Sequence, residues 1–299
     1  VISVLEGRQT DEKVAGTPKR ILGIVSSLRQ GGNSDALARV ALRAVAARGA
    51  KTDIVFLKDL NLNFCDGCLS CVFQGGQCHH DDDVHWLYET AAGYDGLILT
   101  SCTYLLMAPA QVKTLIDRGV AEFVRAPGRP EIPVGVISVA GLPEWDYLVR
   151  PMVNQLALLL GGKLAGSLIG YAPGPSETLL DEGLLRQVEE LAVAVLEDRV
   201  LPAPEGVCPV CYLPRPAEIA GRCPLCHYDP GQPGPHRFTG ASLGHFLLDW
   251  MLPSRERFLA RRGEIKAARA ALAQFQVNVL KPAPPDKAVS PAGSPAGGG

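Results

Sequence analysis

Residues 20–45 read RILGIVSSLRQGGNSDALARVALRAV, and this stretch decides the fold. An apolar run, a polar loop with two glycines and a segment of helical periodicity follow one another: strand, loop, helix. The run is continuously apolar rather than alternating, as in a parallel strand buried on both faces. Backbone N–H groups at a helix N-terminus attract phosphate, and Ser, Asn and Arg side chains can complete the cage. Ser26, Ser27, Arg29, Asn33 and Ser34 are available for this in the loop. The plainer reading has Asn33 or Ser34 acting as a helix N-cap.

The same unit recurs along the chain. Short runs rich in Val, Ile and Leu (TDIVFL, GLILTS, PVGVISVAG and LAGSLIGYA) alternate with helix-like stretches at 34–48, 84–93, 108–124, 145–160 and 177–198. Five strands alternating with helices predict a doubly wound α/β domain with a five-stranded parallel sheet, whose ligand site lies at the carboxyl ends of the strands.

Composition sets outer limits. The 299 residues are 47% hydrophobic and 20% charged, with a formal net charge of −2. That balance has material for a sizeable core and argues against bulk nucleic acid or an anionic membrane as the main partner. The opening segment VISVLEGRQTDEKVAG lacks the basic start and apolar run of a secretory signal, and no uncharged apolar run is long enough to span a bilayer. A cytoplasmic setting is the expectation. Eight of the nine cysteines fall into two groups of four, which in a reducing compartment points to two metal centres.

After the third strand comes SCTYLLMAPAQVKTLIDR, residues 101–118. With it the chain resembles the NADPH-dependent FMN reductase family, and in particular its iron–sulfur flavoprotein branch. That family carries G-S-x-R, then N-[ST], and later S-P-x-Y followed by K-x-x-x-D-R. The counterparts are Ser27-Leu28-Arg29 with Asn33-Ser34, and Ser101-Cys102-Thr103-Tyr104 with Lys113 and Asp117-Arg118. Ser26 stands in place of the usual Gly and Cys102 in place of the usual Pro. Across residues 18–196 the resemblance implies a flavodoxin-like fold with FMN at the strand ends. It implies that Ser27, Arg29, Asn33 and Ser34 hold the phosphate and that Thr103, Tyr104, Leu105 and Met107 border the isoalloxazine ring. Ala140, Gly141 and Leu142 would close over the pyrimidine side. Lys113 and Arg118 read more plainly as surface ion pairs on a helix, worth less than about 1 kcal/mol.

Residues 64–83, FCDGCLSCVFQGGQCHHDDD, hold Cys65, Cys68, Cys71 and Cys78. Two consecutive two-residue gaps let one loop wrap a 4Fe–4S cubane, and Gly75-Gly76 gives Cys78 slack to fold back onto it. The spacing also matches the compact motif of the iron–sulfur flavoproteins. A zinc site or a Cys65/Cys68 redox pair are the rivals. The trailing His79, His80, Asp81, Asp82 and Asp83 read as the N-terminal cap of the next helix rather than as further ligands.

Beyond Val200 the chain turns Pro- and Gly-rich, and two CPxC knuckles (Cys208/Cys211 and Cys223/Cys226) lie eleven residues apart. Such a pair forms a tetrahedral S4 site for zinc or a single iron, and the metal supplies most of that piece's folding energy. The expected organisation is an extension (1–17), the FMN-binding domain (18–200), a zinc-ribbon or rubredoxin-like module (201–236), C-terminal helices (237–280) and a Pro/Ala/Gly tail (281–299). Residues 256–275 carry one apolar helical stripe and a basic face.

The expected function is an FMN-dependent oxidoreductase passing electrons between a 4Fe–4S cluster and FMN. Its donor would be a redox protein such as ferredoxin, or NAD(P)H, and the resemblance implies a homodimer or tetramer. Two other readings stay open: an NAD(P)H-dependent FMN, quinone or nitro-compound reductase without a cluster, and a redox-responsive protein- or nucleic-acid-binding module.

Overall fold

The computed structural model describes residues 17–126, 131–209, 211–214, 223, 256 and 259–272. Five strands form one parallel sheet: β1 (Arg20–Val25), β2 (Lys51–Phe56), β3 (Gly96–Cys102), β4 (Ile132–Ala140) and β5 (Gly162–Tyr171). Their order is β2-β1-β3-β4-β5, so the chain reverses direction across the sheet between β1 and β3. Along that seam Ile21 pairs with Gly96 and Val25 with Thr100. This is the doubly wound order whose ligand crevice opens at the β1/β3 switch point.

The helices are α1 (Asn33–Ala46), α2 (Ser70–Phe73), α3 (Val84–Ala92), α4 (Ala110–Arg125), α5 (Val149–Leu159), α6 (Glu182–Leu196) and α7 (Arg262–Leu272). On one face, α1 and α6 pack Leu37, Val45, Val188 and Leu191 against Ile21, Ile98 and Ile137. On the other, α3, α4 and α5 pack Leu87, Leu115 and Leu156 against Leu22, Leu97 and Val134. Both faces of the sheet are therefore covered, which explains why β4 is buried at every position and reads as an unbroken apolar run. Each fully buried Leu, Ile or Val contributes about 1.5–3 kcal/mol.

Two helices start later than their periodicity suggests. The stretch from residue 177 opens with a 3-10 turn, Glu177–Leu180, and α6 begins only where the Asp181 carboxylate accepts from the Leu184 N–H at 2.9 Å. The stretch from residue 145 is loop until Val149; Pro143 and the left-handed Glu144 (φ 68°) precede it. In exchange, the Leu148 N–H donates to the Leu106 carbonyl at 3.1 Å and ties this loop to the one after β3.

The first cysteine knuckle is not a separate body. Tyr212 is 3% exposed and belongs to the same core cluster as Leu156, Leu158 and Val153. Asn154 on α5 donates to the Cys211 carbonyl at 2.8 Å and accepts from the Ser167 hydroxyl at 3.0 Å. The Arg150 guanidinium lies 5.2 Å from the centre of the Tyr212 ring. An expected boundary at residue 200 thus runs through continuous packing, because one large aromatic anchors the ribbon where the local sequence is otherwise poor in apolar residues. Residues 256–299 form a second unit, of which α7 is described, with Arg261 paired to Glu264. Of the expected C-terminal helices (237–280), the part before residue 256 lies outside the described residues.

Candidate functional site

The loops after β1 and β3 meet at the switch point. The Ser26 hydroxyl donates to that of Ser101 at 2.8 Å, and the Ser26 N–H donates to the Thr100 carbonyl at 3.0 Å. Ser26, standing where the resemblance has Gly, thereby stitches the two loops together. Ser27 accepts from the Arg29 N–H at 3.2 Å, turning the loop back toward α1. Gly32 is the α1 N-cap, and no side chain caps this helix. The Ser34 hydroxyl is buried and without a hydrogen-bond partner among the described residues. An uncapped helix terminus and an orphaned buried hydroxyl are the features a phosphate group satisfies, so the residues present fit FMN's phosphate. Asp35 in the same turn carries a carboxylate, but that group accepts from the Gly31 N–H and from Arg39 Nε.

Asn33 behaves differently from the expectation for a phosphate ligand. Its amide nitrogen donates to the carbonyls of Ala172 (3.2 Å) and Gly174 (2.8 Å), and its oxygen accepts from the N–H and hydroxyl of Thr178. The side chain is fully occupied in holding the β5–α6 connection against α1.

Beyond β3 the chain forms a tight hairpin. Tyr104 and Met107 exchange backbone hydrogen bonds of 2.8 and 3.1 Å around Leu105 (φ 44°) and Leu106 (φ 72°). Positive φ at both central positions is the signature of a type I′ turn, ordinarily built from Asn and Gly. Two leucines held there cost about 1–2 kcal/mol each. The result is an exposed apolar lip, with Leu105 80% and Met107 45% exposed. Thr103 anchors its base by donating to the Val139 carbonyl at 2.8 Å. Cys102 and Tyr104 sit beside Ser27 and Arg29. Burial pushes the Cys102 thiol up, against hydrogen bonding by Ser27 and Tyr104 and the nearby Arg29 charge. Ala140 is buried at the end of β4, while Leu142, on the other side of Gly141, is 57% exposed.

Sequence reading did not single out Trp145 and Tyr147, which stand exposed on the β4–α5 loop, or Tyr171, which donates to Asp146 at 3.1 Å. Their stretch scans as helix, and only the Pro143 interruption signals a loop carrying aromatics.

The four-cysteine loop leaves β2 and lies across the second half of α4. Eight residues separate Ala110, at the start of α4, from Arg118, which touches the loop; this is about 12 Å of helix rise. Cys71 rides on α2, and its thiol is pushed up first by burial and then by the proximity of Cys78, Cys65 and Cys68. All four cysteines of the loop are free, Cys65 and Cys68 exposed and Cys71 and Cys78 half-buried, and a cluster takes such thiols as thiolate ligands. Cys68 Sγ is 3.6 Å from His79 Nδ1, and His79 Nε2 is 3.2 Å from Asp66.

Two expectations about the surroundings are corrected. Arg118 is not a surface residue: it is 4% exposed and gripped by Asp82, while Lys113 does form an exposed pair with Asp117. The acidic run does more than cap α3. Asp82 accepts from the Val84 N–H, but also from the Asn63 N–H, and Asp83 accepts from the Asn61 N–H. Residues that precede a helix in sequence here fasten the far end of the loop.

In the ribbon, the Sγ atoms of Cys208, Cys211 and Cys223 lie within 4.8 Å of one another, and all three residues are fully buried. The Cys211–Cys223 separation is 3.6 Å. An S4 tetrahedron with metal–sulfur bonds of 2.3 Å has an edge of about 3.8 Å, so these residues fit a metal ion. Cys226 lies outside the described residues.

Comparison with known proteins agrees with this geometry. Residues 19–162 match the family model described as NADPH-dependent FMN reductase. An iron–sulfur flavoprotein of Methanocaldococcus jannaschii is 39% identical over 99 residues, covering 33% of this chain and 51% of that protein. One from Methanosarcina thermophila is 37% identical over 101 residues, covering 34% and 52%. The chain thus spans about half the length of these curated relatives. A solved flavone reductase superposes with a TM-score of 0.63 at 16% identity, covering 88% of this chain and 99% of that one, a likeness of fold. Over residues 19–162, within its α/β domain, the chain is similar to the NADPH-dependent FMN reductase family, and over about a third of its length it is similar to iron–sulfur flavoproteins.

Proposed function

We propose that this chain is an FMN-dependent oxidoreductase that passes electrons between FMN at the β1/β3 switch point and an iron–sulfur cluster held by Cys65, Cys68, Cys71 and Cys78. The observation that carries the proposal is one chain bearing both an uncapped phosphate-type helix terminus with an orphaned Ser34 hydroxyl and a loop that carries four free cysteines. When bound, FMN supplies two-electron chemistry and the cluster one-electron exchange. Ser27, Arg29, Ser34 and the backbone N–H of Asn33 hold the phosphate. Thr103, Tyr104, Leu105 and Met107 line one edge of the ring, with Ala140, Gly141 and Leu142 opposite. The exposed lip of Leu105 and Met107 leaves the mouth open to a second substrate. Cys208, Cys211, Cys223 and Cys226 hold a structural zinc or iron.

The donor is a small redox protein such as a ferredoxin, or NAD(P)H, and the chain works as a homodimer or tetramer. No described helix is long and apolar enough to cross a membrane.

Anaerobic purification with iron, sulfide, zinc and flavin analysis tests the reading. About four irons with sulfide and one FMN per chain are expected, and Cys65→Ser should abolish the cluster's visible absorption while FMN remains. Iron-free protein with full NAD(P)H-dependent activity after anaerobic handling would instead identify a reductase without a cluster.

A further inference from the structure

The four-cysteine loop is fastened at its neck by buried charges. Asp82, just after the loop, accepts from the backbone N–H of Asn63, just before it, at 3.0 Å. Arg118 reaches in from α4 and donates to both Asp82 oxygens (2.6 and 3.2 Å) and to the Asn63 carbonyl (2.9 Å). The two side chains are 4% and 1% exposed. A second tie lies outside the first: Asp83 and Asn61 exchange a carboxylate–N–H bond of 2.7 Å and a backbone bond of 2.9 Å. At the far side of the loop Arg125 donates to the Gly76 carbonyl at 3.0 Å.

Each of these groups would be better hydrated if the loop swung away, so the arrangement is not the default for a surface loop. A buried ion pair is weak evidence for stability as such, and its best-attested use is to fix one geometry. Here it fixes two backbone positions nineteen residues apart against a helix that neither belongs to. Burial alone would push the charged forms of Asp82 and Arg118 toward neutrality; their mutual hydrogen bonds and charges, with the Asn63 and Val84 amides for Asp82, outweigh it.

We propose that the Arg118–Asp82 pair is a neck clamp that holds residues 64–81 in a metal-ready shape before any cluster is inserted, with both residues in positioning roles. What the loop then receives rests on the function proposed above; the clamp does not. Ordering a loop in advance removes a conformational entropy cost that insertion would otherwise carry, and thiolates held close to final geometry retain a metal better than mobile ones.

The experiment compares the wild-type chain with Arg118→Lys, which keeps the charge but loses the fork, and Asp82→Asn, which keeps the shape but loses the charge. Amide hydrogen exchange is followed in cluster-free protein over residues 64–81, with residues 20–34 as internal control. Both variants should exchange at least about tenfold faster in the loop and unchanged in the control. After anaerobic reconstitution with iron and sulfide, both should release iron to a chelator about tenfold faster as well. Equal loop exchange in all three proteins, or a wild-type loop already unprotected, overturns the clamp. Loss of protection across the whole α/β domain overturns it too, by making the pair a support of the fold. A wild-type chain that takes up no iron or sulfide overturns the cluster reading alone, and the exchange data still decide the clamp.

Discussion

Arg29 stands exposed on the β1–α1 loop, and its charge reaches Cys102 and Tyr104 across the switch point. A hydrogen bond to a charged group is worth about 1.5–3 kcal/mol, so Arg29→Ala is expected to weaken FMN binding by about ten- to hundredfold in a fluorescence titration, with the fold unchanged. Tyr94 reports on pH. Its phenol is buried and donates to Asp53 at 2.8 Å, and burial followed by that bond and charge pushes its pKa up to about 12 against the opposing Arg20. The folded chain therefore keeps a proton that the unfolded chain releases above about pH 10. Stability should fall as pH rises from about 10 to 12, and Tyr94→Phe should flatten that decline while lowering neutral-pH stability by about 1 kcal/mol. Denaturant melts at stepped pH values check both parts.

At the scale of elements, α4 is the member that carries the cysteine loop. Gly76 has φ +87°, and a Cβ there would sit 2.6 Å from the Ala121 carbonyl oxygen and from Arg125 Cβ. Only glycine allows the loop backbone to lie this close to the helix. Gly76→Ala is expected to destabilise the chain by about 1–3 kcal/mol and to lower iron uptake, as read by chemical denaturation and metal analysis. Little of this was legible beforehand. Gly75-Gly76 reads from sequence as slack for Cys78, and Arg118 as a surface cation, because helix periodicity shows which face a residue occupies but not what packs on that face. The strands were legible for the opposite reason: burial on both sides of a parallel sheet demands continuous apolar runs, and that demand is written residue by residue.

Across the whole molecule, the ribbon's first knuckle shares the core of the α/β domain through Tyr212 and the Asn154–Cys211 hydrogen bond. Cys211→Ser, or extraction of the ribbon metal, should lower the melting temperature of the entire α/β domain by about 5–10 °C in one transition. An independent module would give a second transition and leave the first in place. The five strands of a doubly wound α/β domain, the phosphate-type loop and the spacing of the two cysteine quartets were legible in the sequence, because apolar periodicity and ligand spacing are local properties of a chain. Tertiary structure alone decided that Asn33 spends its side chain on the β5–α6 connection, that Asp82 and Arg118 close the cysteine loop, and that the ribbon is anchored in the flavin-type domain. These depend on contacts between residues 19 to 145 positions apart, which no local pattern encodes and which appear only when burial forces each polar group to find its partner.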